Sequence, residues 1–210
     1  MPFVIESSLR TATTSVSTSH TLNLPSSIAA GELLMILISS NSNKDFSATG
    51  YTAVTGIGSG SGRIVGCLYK IASGSEGSTV SVTTAGSGAL YSVASRVSGI
   101  NGSAPTNSNN FIVGTTANLS TFTIPANTLS SMTSGSGLMG FIYSNASRGN
   151  TSFDADLTEI DSFTGSPISQ HSYVDNDVGG SGNPAYDFTM SGSRQFDYFF
   201  IEVAASASGA

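Results

Sequence analysis

Two histidines, His20 and His171, are the side chains that could supply an imidazole base to a nucleophile. Serine is abundant, yet no serine stands at the centre of a Gly-x-Ser-x-Gly elbow, and His171 neighbours Asp175 and Asp177 in a stretch that reads as an exposed loop. Gly135-Ser136-Gly137-Leu138-Met139-Gly140 spells G-x-G-x-x-G, which holds pyrophosphate only where the glycines open a helix. Phe141-Ile142-Tyr143 follows it and favours a strand, so the spacing implies no dinucleotide site. No catalytic residue and no cofactor is expected.

Oxygen-bearing side chains gather at Asp175, Asp177 and Asn183 within a glycine loop, the hard-ligand chemistry that calcium prefers. The terminal bidentate glutamate of an EF-hand loop is missing there, so the expectation is an Asx-rich turn without a bound metal. Asp154 with Asp156, and Glu159 with Asp161, are same-face carboxylate pairs if that segment is extended, as glycoside hydrolysis would need. They lie in a stretch of low hydrophobicity without tryptophan, and a solvated turn is the simpler expectation. Four Asn-x-Ser sequons (Asn101, Asn118, Asn145, Asn150) matter only to a glycosylated secreted chain.

Charged residues make up 10% of the chain, far below the usual share of about a quarter, so its polar surface consists of hydroxyls and amides. With a net charge of -6 and seven scattered Lys and Arg, it has no phosphate-binding stripe, and nucleic acid is excluded as a partner. No apolar run reaches the roughly 18 residues that span a bilayer. The start Met-Pro-Phe-Val-Ile-Glu lacks the basic and apolar regions of a secretory signal, which points to synthesis in a cytoplasm. Cys67 is the only cysteine; inside the apolar run Ile64 to Tyr69 it reads as a buried small hydrophobe.

The elements that must position these groups are strands. Helical periodicity is almost absent, and short Val-, Ile-, Thr-, Tyr- and Phe-rich segments recur between Gly, Ser, Asn and Pro clusters. Leu33 to Ile38 is continuously apolar and reads as a central strand buried on both faces. Alternating segments surround it: Val65, Cys67, Tyr69 and Ile71; Tyr91, Val93 and Val97; Tyr186, Phe188 and Met190. In the last strand Glu202 shares a face with Phe196, Tyr198 and Phe200, while Asp197 shares the other with Phe199, Ile201 and Val203. About ten such strands without crossover helices predict an all-β, antiparallel β-sandwich, jelly-roll-like, with glycine-rich loops such as Gly56 to Gly62 and Gly179 to Pro184. The expected organisation is a single sandwich over 1-203 with a weak boundary near 101-110, across which no repeat is evident, and a flexible tail over 204-210.

Thr21-Leu-Asn-Leu-Pro25 leading to Gly31-Glu32-Leu-Leu-Met-Ile resembles a pattern in structural proteins of tailed-phage particles: a Leu-Pro, then an Ala-Gly-Asp-Leu-Leu strand start. Gly50-Tyr51-Thr52 is similar to their Gly-Trp-Thr, and Tyr69-Lys70-Ile-Ala-Ser-Gly74-Ser75-Glu76 to their Tyr-Lys-x-Ala-x-Gly-Ser-Glu. Ser78 to Thr83 and Arg96-Val-Ser-Gly99 continue the series, which spans residues 20 to 100; residues 101 to 210 match in β character alone.

The resemblance implies a non-enzymatic virion component: a capsid decoration (cement) protein, a head fibre or a tail-fibre domain. The chain offers neither heptads nor a shaft repeat, which favours a compact protein on the capsid surface. Its implied partners are the major capsid protein and copies of itself, with a homotrimer suiting an icosahedral lattice. Expected contacts are Phe3, Val4 and Ile5 at the N-terminus and Phe196, Tyr198 and Phe200 in the last strand. The alternative is a receptor-binding module whose loops grip a host glycan.

Overall fold

The computed structural model describes residues 2 to 206 apart from 42–44, 59–62, 103–105, 130–131, 134, 145, 166–168, 177 and 179–181; within strands, the side chains at 56–58 and 107–109 are also outside the description. The described residues form strands and turns, all ladders being antiparallel. The first half of the chain holds β1 (Val4–Asn23), β2 (Leu33–Ser40), β3 (Phe46–Ser47), β4 (Thr52–Gly58), β5 (Arg63–Ile71) and β6 (Thr79–Ser98). The second holds β7 (Thr106–Thr115), β8 (Leu119–Ile124), β9 (Gly137–Ser144), β10 (Asn150–Phe153), β11 (Thr158–Thr164), β12 (Ser169–Asp175), β13 (Tyr186–Arg194) and β14 (Asp197–Val203).

The strand order of the first sheet is β1-β6-β2-β5-β4, and that of its facing sheet is β7-β14-β9-β12-β11. The two orders are the same order. β2 corresponds to β9, β3 to β10, β4 to β11 and β5 to β12; the long strands β1 and β6 correspond to β7 with β8 and to β14 with β13. The side pairings agree as well, since β3 pairs with β6 as β10 pairs with β13. The residue sequence carries a trace of this: aligning Gly31–Asn41 with Gly135–Asn145 makes Gly31, Leu34, Met35, Ile38, Ser40 and Asn41 identical to their counterparts. Backbone geometry repeats too. Among the described residues, Ser27 and Asn127 are the two non-glycine residues with positive φ, each two positions after a proline, and Gly31 and Gly135 take positive φ before the corresponding central strands. Glu32 N–H bonds the Ala29 carbonyl as Ser136 N–H bonds that of Thr133. The repeat that the sequence hides is therefore present in the fold.

Both central strands, β2 and β9, are buried along their whole length. Leu33, Met35 and Leu37 face Met139, Phe141, Phe199 and Ile201 across the two sheets, forming the core between the halves. The opposite faces are covered within each half. At Thr13 to Ser19 the β1–β6 ladder is broken by bulges, and the rest of the ladder folds over Leu34, Ile36 and Ile38. In the second half the strands break instead, at Thr115 to Leu119 and Arg194 to Asp197, and β8, β10 and β13 form a separate sheet over Ile142 and Phe200. Gly140 is fixed by this packing: a Cβ there would stand 2.3 Å from the Phe199 carbonyl and from the Phe200 ring.

Candidate functional site

The equivalent ends of the two halves carry opposite charge. On the outward side of β2, Leu34 lies between Lys70 on β5 and Arg96 on β6; on β9, Leu138 lies between Asp175 on β12 and Glu202 on β14. In the first half the cations meet loop carboxylates. Lys70 Nζ is 2.8 Å from Glu76 Oε1 and 5.3 Å from the Tyr51 ring centre, and Arg96 Nη1 is 3.2 Å from Glu32 Oε1. Glu76 also accepts the Ser73 and Gly74 N–H groups and the Ser73 hydroxyl, and Glu32 accepts the Ala29 N–H. Burial works against the Glu76 charge, but the Lys70 ammonium and the Ser73 donors outweigh it and hold its carboxyl at about 2. Tyr51 is pushed up to about 12 by burial and by the Glu76 charge. Two ion pairs, Lys70–Glu76 and Arg96–Glu32, thus hold this loop end on either side of Leu34.

In the second half the same end opens as a recess of about 590 Å³ lined by Asn127, Asp156, Asp175, Asn176 and Asn183 among others. Its described lining contains no Lys or Arg. Asp175 Oδ2 accepts the Tyr186 hydroxyl at 2.8 Å, and burial together with the Asp175 charge raises the Tyr186 pKa. Glu202, buried, accepts the Thr133 N–H at 2.6 Å and the Asn110 amide at 2.7 Å. Thr133 is the counterpart of Ala29, so the same turn amide is capped by Glu32 in one half and by Glu202 in the other.

Of the calcium-loop residues, Asp175 and Asn183 line the recess and Asp177 lies outside the described residues. Asn183 works as a loop clamp: Oδ1 accepts the Leu129 N–H at 3.0 Å and Nδ2 donates to the Pro125 and Pro184 carbonyls. Among the described residues no group of three His, Cys, Asp or Glu side chains could hold a metal ion. Asp154 and Asp156 form a turn, with Asp156 N–H bonding Asp154 Oδ1 and Leu157 N–H the Asp154 carbonyl. Glu159 and Asp161 are engaged separately, by His171 Nδ1 at 3.1 Å and by Arg10 Nη1 at 3.4 Å.

His171 is buried on β12 rather than in an exposed loop, and its Nε2 bonds the Arg148 carbonyl. His20 pins the β1 corner, with Nδ1 at 2.9 Å from Thr13 Oγ1 and Nε2 at 3.1 Å from the Ser17 carbonyl; burial lowers its pKa. G-x-G-x-x-G 135–140 runs into β9, a strand. Cys67 is fully buried in the core between the halves, and burial raises its thiol pKa. Of the expected contact residues, Phe3, Phe196 and Phe200 have 0% exposure within the chain's own cores, Val4 is 51% exposed, and Ile5 and Tyr198 are half-buried. No helix among the described residues is long and apolar enough to cross a membrane.

Sequence reading missed one buried ion pair. Arg63 Nε is 2.7 Å from Asp197 Oδ2, joining β5 of the first half to β14 of the second at 2% and 0% exposure. Gln195 caps the guanidinium at 2.6 Å and Thr115 donates to the carboxylate at 2.6 Å; burial still raises the Asp197 pKa. Nearby, the Ser39 hydroxyl donates to Gln170 Oε1 at 2.6 Å across the same interface. The only sequence signal was an ionisable residue on an otherwise apolar strand face, and it named no partner. The chain matches no family model, and comparisons with curated proteins and with solved structures find no match.

Proposed function

We propose that this chain is a non-enzymatic structural protein of a phage virion, a decoration protein bound to the outer surface of the head. The observation that carries this reading is the placement of the residues that resemble phage structural proteins. Glu32, Tyr51, Lys70, Glu76 and Arg96 hold the loop end of the first half together, so the part they play is that of a scaffold. The outer surfaces fit the same role, being exposed β-faces of hydroxyls and amides with few charges. Such faces suit broad, neutral contacts with other protein surfaces.

The test is binding. Heads of the encoding phage assembled without this chain are mixed with purified protein, sedimented and heated. Co-sedimentation at a saturating ratio with raised heat resistance is expected; protein that stays in the supernatant overturns the reading.

The recess at Asp156, Asp175 and Asn127 favours a second reading, a glycan-binding module of a fibre. Its convergent oxygens match sugar hydroxyls. Glycan-array binding abolished by Asp175→Asn would support it.

A further inference from the structure

The geometry points to a docking groove for an extended, basic peptide segment of a partner protein, running along the β1–β11 side of the sandwich into the acidic recess. This goes beyond the decoration reading and does not depend on it.

β1 and β11 are the outermost strands of their sheets on this side, so each has one backbone edge outside the ladders. The two edges meet at Arg10, whose Nη1 bonds the Ser162 carbonyl at 2.5 Å and whose guanidinium lies 5.2 Å from the Phe163 ring centre. Toward Val4 and Thr158 they part. Each strand carries a register shift there, between Ile5 and Ser7 in β1 and between Glu159 and Asp161 in β11, and such bulges bend a strand off its regular line. Between them lies a groove of about 430 Å³. Val4, Ile5, Ile160 and Val174 give it an apolar lining, and Val4 is 51% exposed.

Asn176 lines both this groove and the recess of about 590 Å³, so the two adjoin. Their far ends differ in charge. Arg10 closes the groove and is engaged by Asp161 and the Ser162 carbonyl, while Asp156 and Asp175 stand in the recess, whose described lining has no Lys or Arg. Several carboxylates act on one point there: the Tyr186 hydroxyl is raised in pKa first by burial and then by the charges of Asp175, Asp156 and Asp154.

These features select the occupant. An apolar groove between free strand edges suits an extended chain, whose main chain bonds an edge and whose alternate side chains enter the groove. Carboxylates where the groove opens suit a lysine or arginine on that same chain. A sugar or a lone metal ion would fill the recess and leave the apolar groove in water. The two bulges confine regular pairing to a few residues, so what is recognised is a short motif.

The test pans a ribosome-displayed library of random peptides on the immobilised full-length protein and titrates the fluorescein-labelled binders by anisotropy. Expected are binders in which alternating apolar residues adjoin a lysine or arginine, with affinity that falls as salt rises. Thr158→Lys, at an exposed position of the groove, should weaken them about tenfold or more, and Asp156→Asn about threefold. Asp187→Asn, an exposed carboxylate on β13, should leave binding unchanged. Unchanged thermal unfolding of each variant certifies the fold. No binder, binders without a basic residue, or binding indifferent to Thr158→Lys overturns the inference and leaves the decoration role, read from head sedimentation, standing. Glycan binding that Asp175→Asn abolishes, with no peptide binding, also overturns it and assigns the recess to sugar.

Discussion

The loop ends of the two halves share a backbone and differ in charge. Around Leu34 stand Lys70 and Arg96, each answered by a loop glutamate, and the end is closed. Around Leu138 stand Asp175 and Glu202, answered by a tyrosine hydroxyl, an asparagine amide and a backbone N–H, and the end is open. One turn geometry tolerates both solutions because what it requires is a carboxylate near the amide of Ala29 or Thr133, whichever strand supplies it. The difference teaches that sign of charge is free to vary at this end while hydrogen-bond satisfaction is not.

The strongest way to break the comparison is to part the halves. Asp197→Ala leaves Arg63 buried beside an uncharged neighbour and should cost about 3–5 kcal/mol in denaturant unfolding, while Arg63→Met with Asp197→Leu should recover most of it. Next is the first-half clamp. Glu76→Gln should cost about 1–2 kcal/mol, because it weakens bonds to the Ser73 and Gly74 amides and to Lys70. Its pH dependence has a definite sign. The folded carboxyl is held at about 2, below its unfolded value near 4.3, so its contribution is present above that value and disappears as pH falls toward 2. Melting curves of wild type and E76Q should converge over that interval.

A smaller effect belongs to the corner that only the first half keeps as a continuous bulged strand. His20 is lowered by burial, so its neutral form favours the fold, and stability should fall by about 1 kcal/mol or less as pH drops below the unfolded value near 6.5. His20→Gln should flatten that slope in thermal melts. The smallest effect tests equivalence directly. Ser27→Gly and Asn127→Gly should each raise stability, by about 0.5–1 kcal/mol for Ser27 and less for Asn127, since asparagine tolerates positive φ better.

Much of the fold was legible in residues whose meaning is local. Leu33 to Ile38 read as a strand covered on both faces because no polar side chain interrupts it, and the alternation at Val65, Cys67 and Tyr69 fixed a face. What stayed hidden depends on long-range pairing. Arg63 and Asp197 lie far apart in sequence, and nothing near either names the other. The duplication escaped because five of the eleven aligned positions between Gly31–Asn41 and Gly135–Asn145 differ, and β7 and β8 replace one long strand with two. Asn183 read as a candidate calcium ligand because its neighbours are Asx and Gly; its amide in fact bridges Pro125, Leu129 and Pro184, partners no spacing rule could supply.

The proposed decoration role is tested most directly by cryo-electron microscopy of heads assembled without the chain and then saturated with it. The account predicts ordered density on the outer head surface, sized for one β-sandwich chain. Density confined to the tail, or heads that stay bare, would contradict it.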